Sequence, residues 1–113
     1  MVSEIKIGVL EADKKAVYVI TNARVTNVAD PYEGVSQKTG EKYKIVNFNI
    51  ELNLGEGVKR NYMRVTAFTR VAEWMTLNHI GVNSIVNLYV DFNVSGKFPT
   101  TEIRVVDIKL AKE

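Results

Sequence analysis

The chain has 113 residues, 46% hydrophobic and 25% charged, with a formal net charge of +2 and no cysteine. That length holds one domain core, and no apolar run approaches the roughly 20 residues that a bilayer helix requires. Without cysteine, disulfide frameworks, thiol nucleophiles and cysteine-ligated zinc are excluded, while the mild positive charge permits a nucleic-acid partner without arguing for one.

The first residues carry Glu4, Glu11 and Asp13 and lack the basic start and long apolar stretch of a secretory leader, so the expectation is a cytoplasmic protein. Ile5, Ile7 and Val9 alternate with Glu4, Lys6 and Gly8, which predicts a strand, because successive strand side chains point to opposite faces. Its apolar parity suits an edge that pairs between subunits. Glu11 to Lys15 reads as a hairpin turn. A long strand follows to about Val28, with Val17, Val19, Ala23 and Val25 on one parity and Tyr18, Asn22 and Arg24 on the other.

From Asp30 to Lys42, Pro31, two glycines and alternating charges predict an exposed loop at the rim. Lys44 to Leu54 is the clearest strand, with Val46, Phe48, Ile50, Leu52 and Leu54 inward against Ile45, Asn47, Asn49, Glu51 and Asn53. A turn at Gly55-Glu56-Gly57 leads to a strand from Lys59 to Phe68, with Met63, Val65 and Ala67 opposite Tyr62, Arg64, Thr66 and Phe68. The period then becomes helical through Val71, Trp74, Met75, Leu77 and Ile80, with Thr69 as N-cap and Gly81 as terminator. Two strands follow, Ser84 to Val94 and Phe98 to Leu110, joined at Ser95-Gly96-Lys97.

This order predicts an all-β single domain spanning residues 1–113: a five-stranded OB barrel with one short helix between its third and fourth strands and an extra strand in front. Such a barrel leaves a groove across its sheet for an extended polymer.

The segment Tyr62-Met63-Arg64-Val65-Thr66-Ala67-Phe68-Thr69-Arg70-Val71-Ala72-Glu73 resembles the aromatic-x-Arg-Val-x-x-Phe-Gly-Lys-Leu-Ala-Glu pattern of bacterial and phage single-stranded DNA-binding proteins (SSB). Thr69, Arg70 and Val71 stand where that family usually has Gly, Lys and Leu. Outside this segment the resemblance, from about Val17 to Leu110, rests on pattern and order. It implies an OB fold, a phage, plasmid or bacterial setting in replication, recombination or repair, a dimer or tetramer, and a strand-facing role for Tyr62 and Phe68 by stacking and for Arg64 by phosphate or base contact. The chain departs from the family in a short connection at Ser95-Gly96-Lys97 and in Glu56 where some members have a tryptophan. It also ends at Glu113 without the acidic tail, which implies a tailless relative or an excerpt of a longer protein.

Single strands are held by stacking on aromatic faces and by phosphate neutralisation. Tyr62, Arg64 and Phe68 supply both, with Lys38, Lys42 and Tyr43 in the loop and Lys59 and Arg60 beside the turn as flanking contacts, and Arg24, Asn47 and Asn49 on the groove-facing parities. The competing reading packs the platform under a loop or at a subunit interface, with Tyr62, Phe68 and Tyr89 serving a protein partner, and an RNA ligand is a third. Trp74 belongs to the apolar helix face and reads as a barrel plug. The lone His79 reads as a capping or solvent group, and Gly34 to Glu41 lacks the lysine of a phosphate loop. No nucleophile or general-acid constellation assembles, so neither an enzyme nor a cofactor is expected.

Overall fold

In the computed structural model residues 2–11, 14–94 and 101–111 are described. The elements are β1 (Glu4–Leu10), β2 (Lys15–Val28), β3 (Tyr32–Val35), β4 (Lys42–Leu52), β5 (Asn61–Phe68), α1 (Thr69–Leu77), β6 (Ile85–Val94) and β7 (Thr101–Leu110). The predicted turn at Ser95-Gly96-Lys97 and the start of the last strand at Phe98 lie outside the described residues.

Five strands close on themselves, since β2 pairs with both β4 and β6, β6 with β7, β7 with β5, and β5 with β4. The β5–β7 pairing is parallel and short, joining Thr66 to Arg104 and Ala67 to Val105. A closed five-strand barrel with one helix following the third barrel strand in the chain is consistent with the OB architecture. Two strands lie outside the barrel: β1 along β2, and β3 along β4.

The interior is the inward parity of the barrel strands. Val46, Phe48, Ile50 and Leu52 of β4 meet Val65 and Ala67 of β5 and Val86, Leu88 and Val90 of β6. Val71, Ala72 and Met75 of α1 bury one helical face on the same cluster, with Trp74 packed half-buried beside them. A β4 residue and its β5 partner point to the same side, so sealing one parity inside leaves the other on the outer wall.

The predicted parity of β2 breaks in its middle. A bulge at Thr21 and Asn22 shifts the register with β6, and Asn22 takes the left-handed conformation at φ 56°. Its N–H donates to Oδ1 of Asn87 at 3.0 Å. The core parity therefore runs through Ile20 and then Ala23 and Val25, while Val19 is only half-buried.

Both predicted helix signals are corrected. Phe68 is the N-cap, in extended conformation and without a side-chain cap, and Thr69 is the first helical residue. The helix ends at Leu77 rather than near Gly81: Asn78 is the C-cap, and His79 at φ 52° occupies the position that glycine usually takes. The amide of His79 donates to the carbonyl of Thr76 and that of Ile80 to the carbonyl of Met75, at 3.2 and 2.9 Å. These two bonds form a Schellman motif whose final residue, Ile80, packs against the core.

Candidate nucleic-acid interface

The expected rim loop from Asp30 to Lys42 contains a strand instead. Tyr32–Val35 pairs with Lys42–Ile45, and the turn between them is closed by the amide of Ser36 on the carbonyl of Glu41 and the amide of Gly40 on the carbonyl of Ser36, each at 2.8 Å. Gly40 sits at φ 70°, where a side chain would be strained. The outer wall is thereby three strands wide, β3, β4 and β5.

Cross-strand pairing orders its outward side chains into rows. Arg24, Glu51 and Tyr62 form the first; Asn49 and Arg64 the second; Asn47 and Thr66 the third; Tyr32, Ile45 and Phe68 the fourth; and Gly34 and Tyr43 the last. Tyr62 and Tyr32 are 65% and 62% exposed, and Phe68 and Tyr43 are half-buried. From Tyr62 to Phe68 the wall extends about 20 Å at the usual strand rise, with rings at both ends.

Tyr32 and Tyr43 are 6.1 Å apart between ring centroids and tilted by 35°. The ring of Tyr43 lies over Gly34, where a Cβ would stand 2.5 Å from its hydroxyl oxygen. The phenol of Tyr43 is raised above its usual pKa by the side-chain interaction with Tyr32.

Between the rings the wall is polar. Oγ1 of Thr66 donates to Oδ1 of Asn47 at 2.7 Å, which satisfies the buried threonine hydroxyl. Arg64 is exposed and has no hydrogen-bond or ion-pair partner among the described residues. Its guanidinium is therefore available to a ligand.

At the Tyr62 end, the nearly buried Glu51 carboxylate accepts from both Arg60 and Arg24. Arg24 also donates to Oδ1 of Asn83 at 2.6 Å. Those hydrogen bonds, that of Arg60 first, hold the Glu51 carboxyl below the usual range. Two cations share one anion here, so this end keeps a positive excess of one.

Of the residues singled out from the sequence, Tyr62, Arg64, Phe68, Tyr43, Asn47 and Asn49 fall on this wall, Arg24 adjoins it from β2 beside Glu51, and Arg60 reaches it through Glu51. Lys38 lies in the β3–β4 turn and Lys59 in the β4–β5 turn, both exposed at its margins. Lys42 takes the parity of β4 opposite to Tyr43, the side on which Nζ of Lys44 reaches Oγ1 of Thr76 on α1. Sequence reasoning missed Tyr32, because a loop has no parity. The signal that locates it is Gly40, a turn glycine between two tyrosines, Tyr32 and Tyr43, whose rings meet across the hairpin.

The carboxylates Glu51 and Asp91 occupy separate ion clusters: Glu51 with Arg24 and Arg60, Asp91 with Lys15 and Arg104. His79 is exposed, and among the described residues no three metal-ligating side chains converge. No described helix is long and apolar enough to cross a membrane.

No protein-family model matches the chain, and no curated protein sequence matches it. Crystal structures of the mitochondrial single-stranded DNA binding protein Rim1 from S. cerevisiae are similar in fold. One aligns with a TM-score of 0.56 and 17% identity over 83% of this chain and 90% of that one. A second crystal form gives a TM-score of 0.55 at 17% identity, over 83% and 92% of the two chains.

Proposed function

We propose that this chain is an SSB-type barrel that binds single-stranded DNA with little regard to sequence, across the outer wall of β3, β4 and β5. The observation that carries the reading is a wall with solvent-open rings at both ends and, between them, the guanidinium of Arg64, unpaired among the described residues. Rings stack on any base, and a guanidinium neutralises any phosphate, so the ligand is a flexible polyanion with accessible bases. A duplex hides its base faces and cannot use the rings. The fold shared with a single-stranded DNA binding protein supports the reading, as does the hydrogen-bonded Asn47–Thr66 row, which keeps the stretch between the aromatic ends polar. The role is to coat or hand over strands in replication, recombination or repair, without catalysis.

The test is fluorescence anisotropy of labelled oligo-dT, oligo-U and duplex DNA across salt concentrations. Oligo-dT binding that weakens steeply with salt, with duplex binding far weaker, is expected. Equal affinity for duplex and single strand would overturn the reading, and preference for oligo-U would assign the wall to RNA.

A homo-oligomer is part of the proposal. Ile5, Ile7 and Val9 on β1 are 51%, 78% and 53% exposed, and they continue onto exposed Tyr18 and Phe92, whose rings meet edge to face at 5.0 Å. The free edge of β1 suits a second copy: antiparallel pairing about Ile7 sets Ile5 against the other copy's Val9 and Lys6 against Gly8, with no like charges opposed. Sedimentation equilibrium of wild type and Ile7→Lys is the check, with a dimer or tetramer expected for the first and a monomer for the second. A monomeric wild type would refute it.

A further inference from the structure

The outer wall does not stop at β5. Thr66 pairs with Arg104 of β7, and Arg104 with Asp91 of β6, so the row that begins at Asn47 runs on through Arg104 to Asp91. Beside Phe68 this continuation opens a cleft of about 390 Å³ lined by Lys15, Arg70, Asp91, Arg104 and Val106 among others. Asp91 is nearly buried. It accepts from Nζ of Lys15 at 2.6 Å and from Nε and Nη2 of Arg104 at 3.0 and 3.1 Å. Arg70 stands at the mouth, its side chain 72% exposed, anchored by one donation to the carbonyl of Val106 at 2.8 Å and 3.8 Å from the Asp107 carboxylate.

We propose that this cleft is a phosphate subsite for the strand beyond Phe68, with Arg70, Arg104 and Lys15 as its cations and Asp91 as the positioning residue. The inference rests on the strand-binding reading and extends the bound path by one step. Three cations stand against two carboxylates, Asp91 inside the cleft and Asp107 beside Arg70, so the cleft keeps a positive excess of one. Asp91 takes two of the five donors of Arg104 and holds Lys15 at a fixed point, which leaves further N–H groups free for a phosphodiester oxygen. Phe68 is shared by the wall and the cleft. A base stacked on Phe68 therefore places its adjoining phosphate at the cleft mouth.

A lock that merely ties β2, β6 and β7 together would not contribute to counterion release, and this separates the two roles. The variant is the pair Lys15→Gln and Arg70→Gln, which leaves Asp91 its Arg104 partner. Salt titrations with oligo-dT are expected to give a slope of log affinity against log salt smaller by about 1.4, at about 0.7 for each single-strand phosphate that is no longer neutralised. Tyr62→Ala is the control, weakening affinity at constant slope. An unchanged slope in the double variant overturns the proposal. If wild type binds no oligo-dT, titration of inorganic pyrophosphate followed by the amide resonances of Arg70 and Arg104 decides alone. Saturable shifts that vanish in the double variant keep the cleft as an oxyanion site although the strand-binding reading has failed, and absent shifts overturn the cleft as well.

Discussion

Replacing Tyr62 by Ala tests the wall at the point where affinity and stability separate. The ring is 65% exposed and ends the row formed with Glu51 and Arg24. Its truncation removes little buried surface, so the stability change is expected to stay within about 0.5 kcal/mol, as for most surface substitutions. Its stacking contribution, at about 1–3 kcal/mol per base, corresponds to a loss of about 5- to 150-fold in oligo-dT affinity. Because the ring carries no charge, the salt slope is expected to remain that of wild type, whereas Arg64→Gln is expected to lower it by about 0.7. Anisotropy titrations at several salt concentrations, with thermal denaturation in parallel, measure all three quantities. Affinity for Tyr62→Ala within twofold of wild type, with the fold intact, would show that bases do not stack at this end of β5.

Further outcomes follow from single contacts. Gly34→Ala places a Cβ 2.5 Å from the Tyr43 hydroxyl, so the ring must leave its position over β3; weaker oligo-dT binding at nearly unchanged thermal stability is expected, and unaltered affinity would remove Tyr43 from the site. The Glu51 and Asp91 carboxyls are both lowered. For Glu51 the hydrogen bonds from Arg60 and Arg24 are responsible; for Asp91 burial opposes the shift, and the hydrogen bonds from Lys15 and Arg104 outweigh it. Their contribution to stability is complete above the ordinary carboxylate range near about pH 4 and is lost as pH falls through the lowered folded values. Denaturant unfolding is therefore expected to show Glu51→Gln less stable than wild type at pH 7 and closer to it at pH 3; an equal difference at both would refute the clamp. His79→Gly relieves a left-handed backbone at φ 52° and is expected to raise stability by about 0.5–1 kcal/mol, with a lowered melting temperature as the opposing result.

The alternation of Val46, Phe48, Ile50 and Leu52 made β4 legible, and with it the outward row of Asn47, Asn49 and Glu51. The same logic placed Tyr62 and Arg64 correctly, because β5 pairs with β4 without a bulge. It failed where local irregularity resets the parity. In β2 the bulge at Asn22 moves Ile20 into the core, which no period of two can anticipate. It failed again at β3, a strand of four residues containing a glycine, whose stability comes from its partner and from the ring that covers Gly34. The helix end was misplaced because a histidine adopts the left-handed cap normally given to glycine. Composition carries no trace of that choice.

Charge on the wall has a logic that residue counts conceal. Arg24 and Arg60, read from the sequence as a groove-facing residue and a flanking contact, both donate to the nearly buried Glu51, and Lys15 and Arg104 likewise donate to Asp91. A fully buried carboxylate between two cations is costly to desolvate, so each cluster is sustained by having its cations half in water. In that state the guanidinium groups are fixed in place before a ligand arrives, which lowers the ordering cost of binding. The carboxylate competes with the phosphate for the same donors and limits what each contact adds. Arg64 has no such competitor among the described residues. Its loss should therefore register more directly in the salt dependence than that of Arg24 or Arg60, which hold the shape of the path at the Tyr62 end.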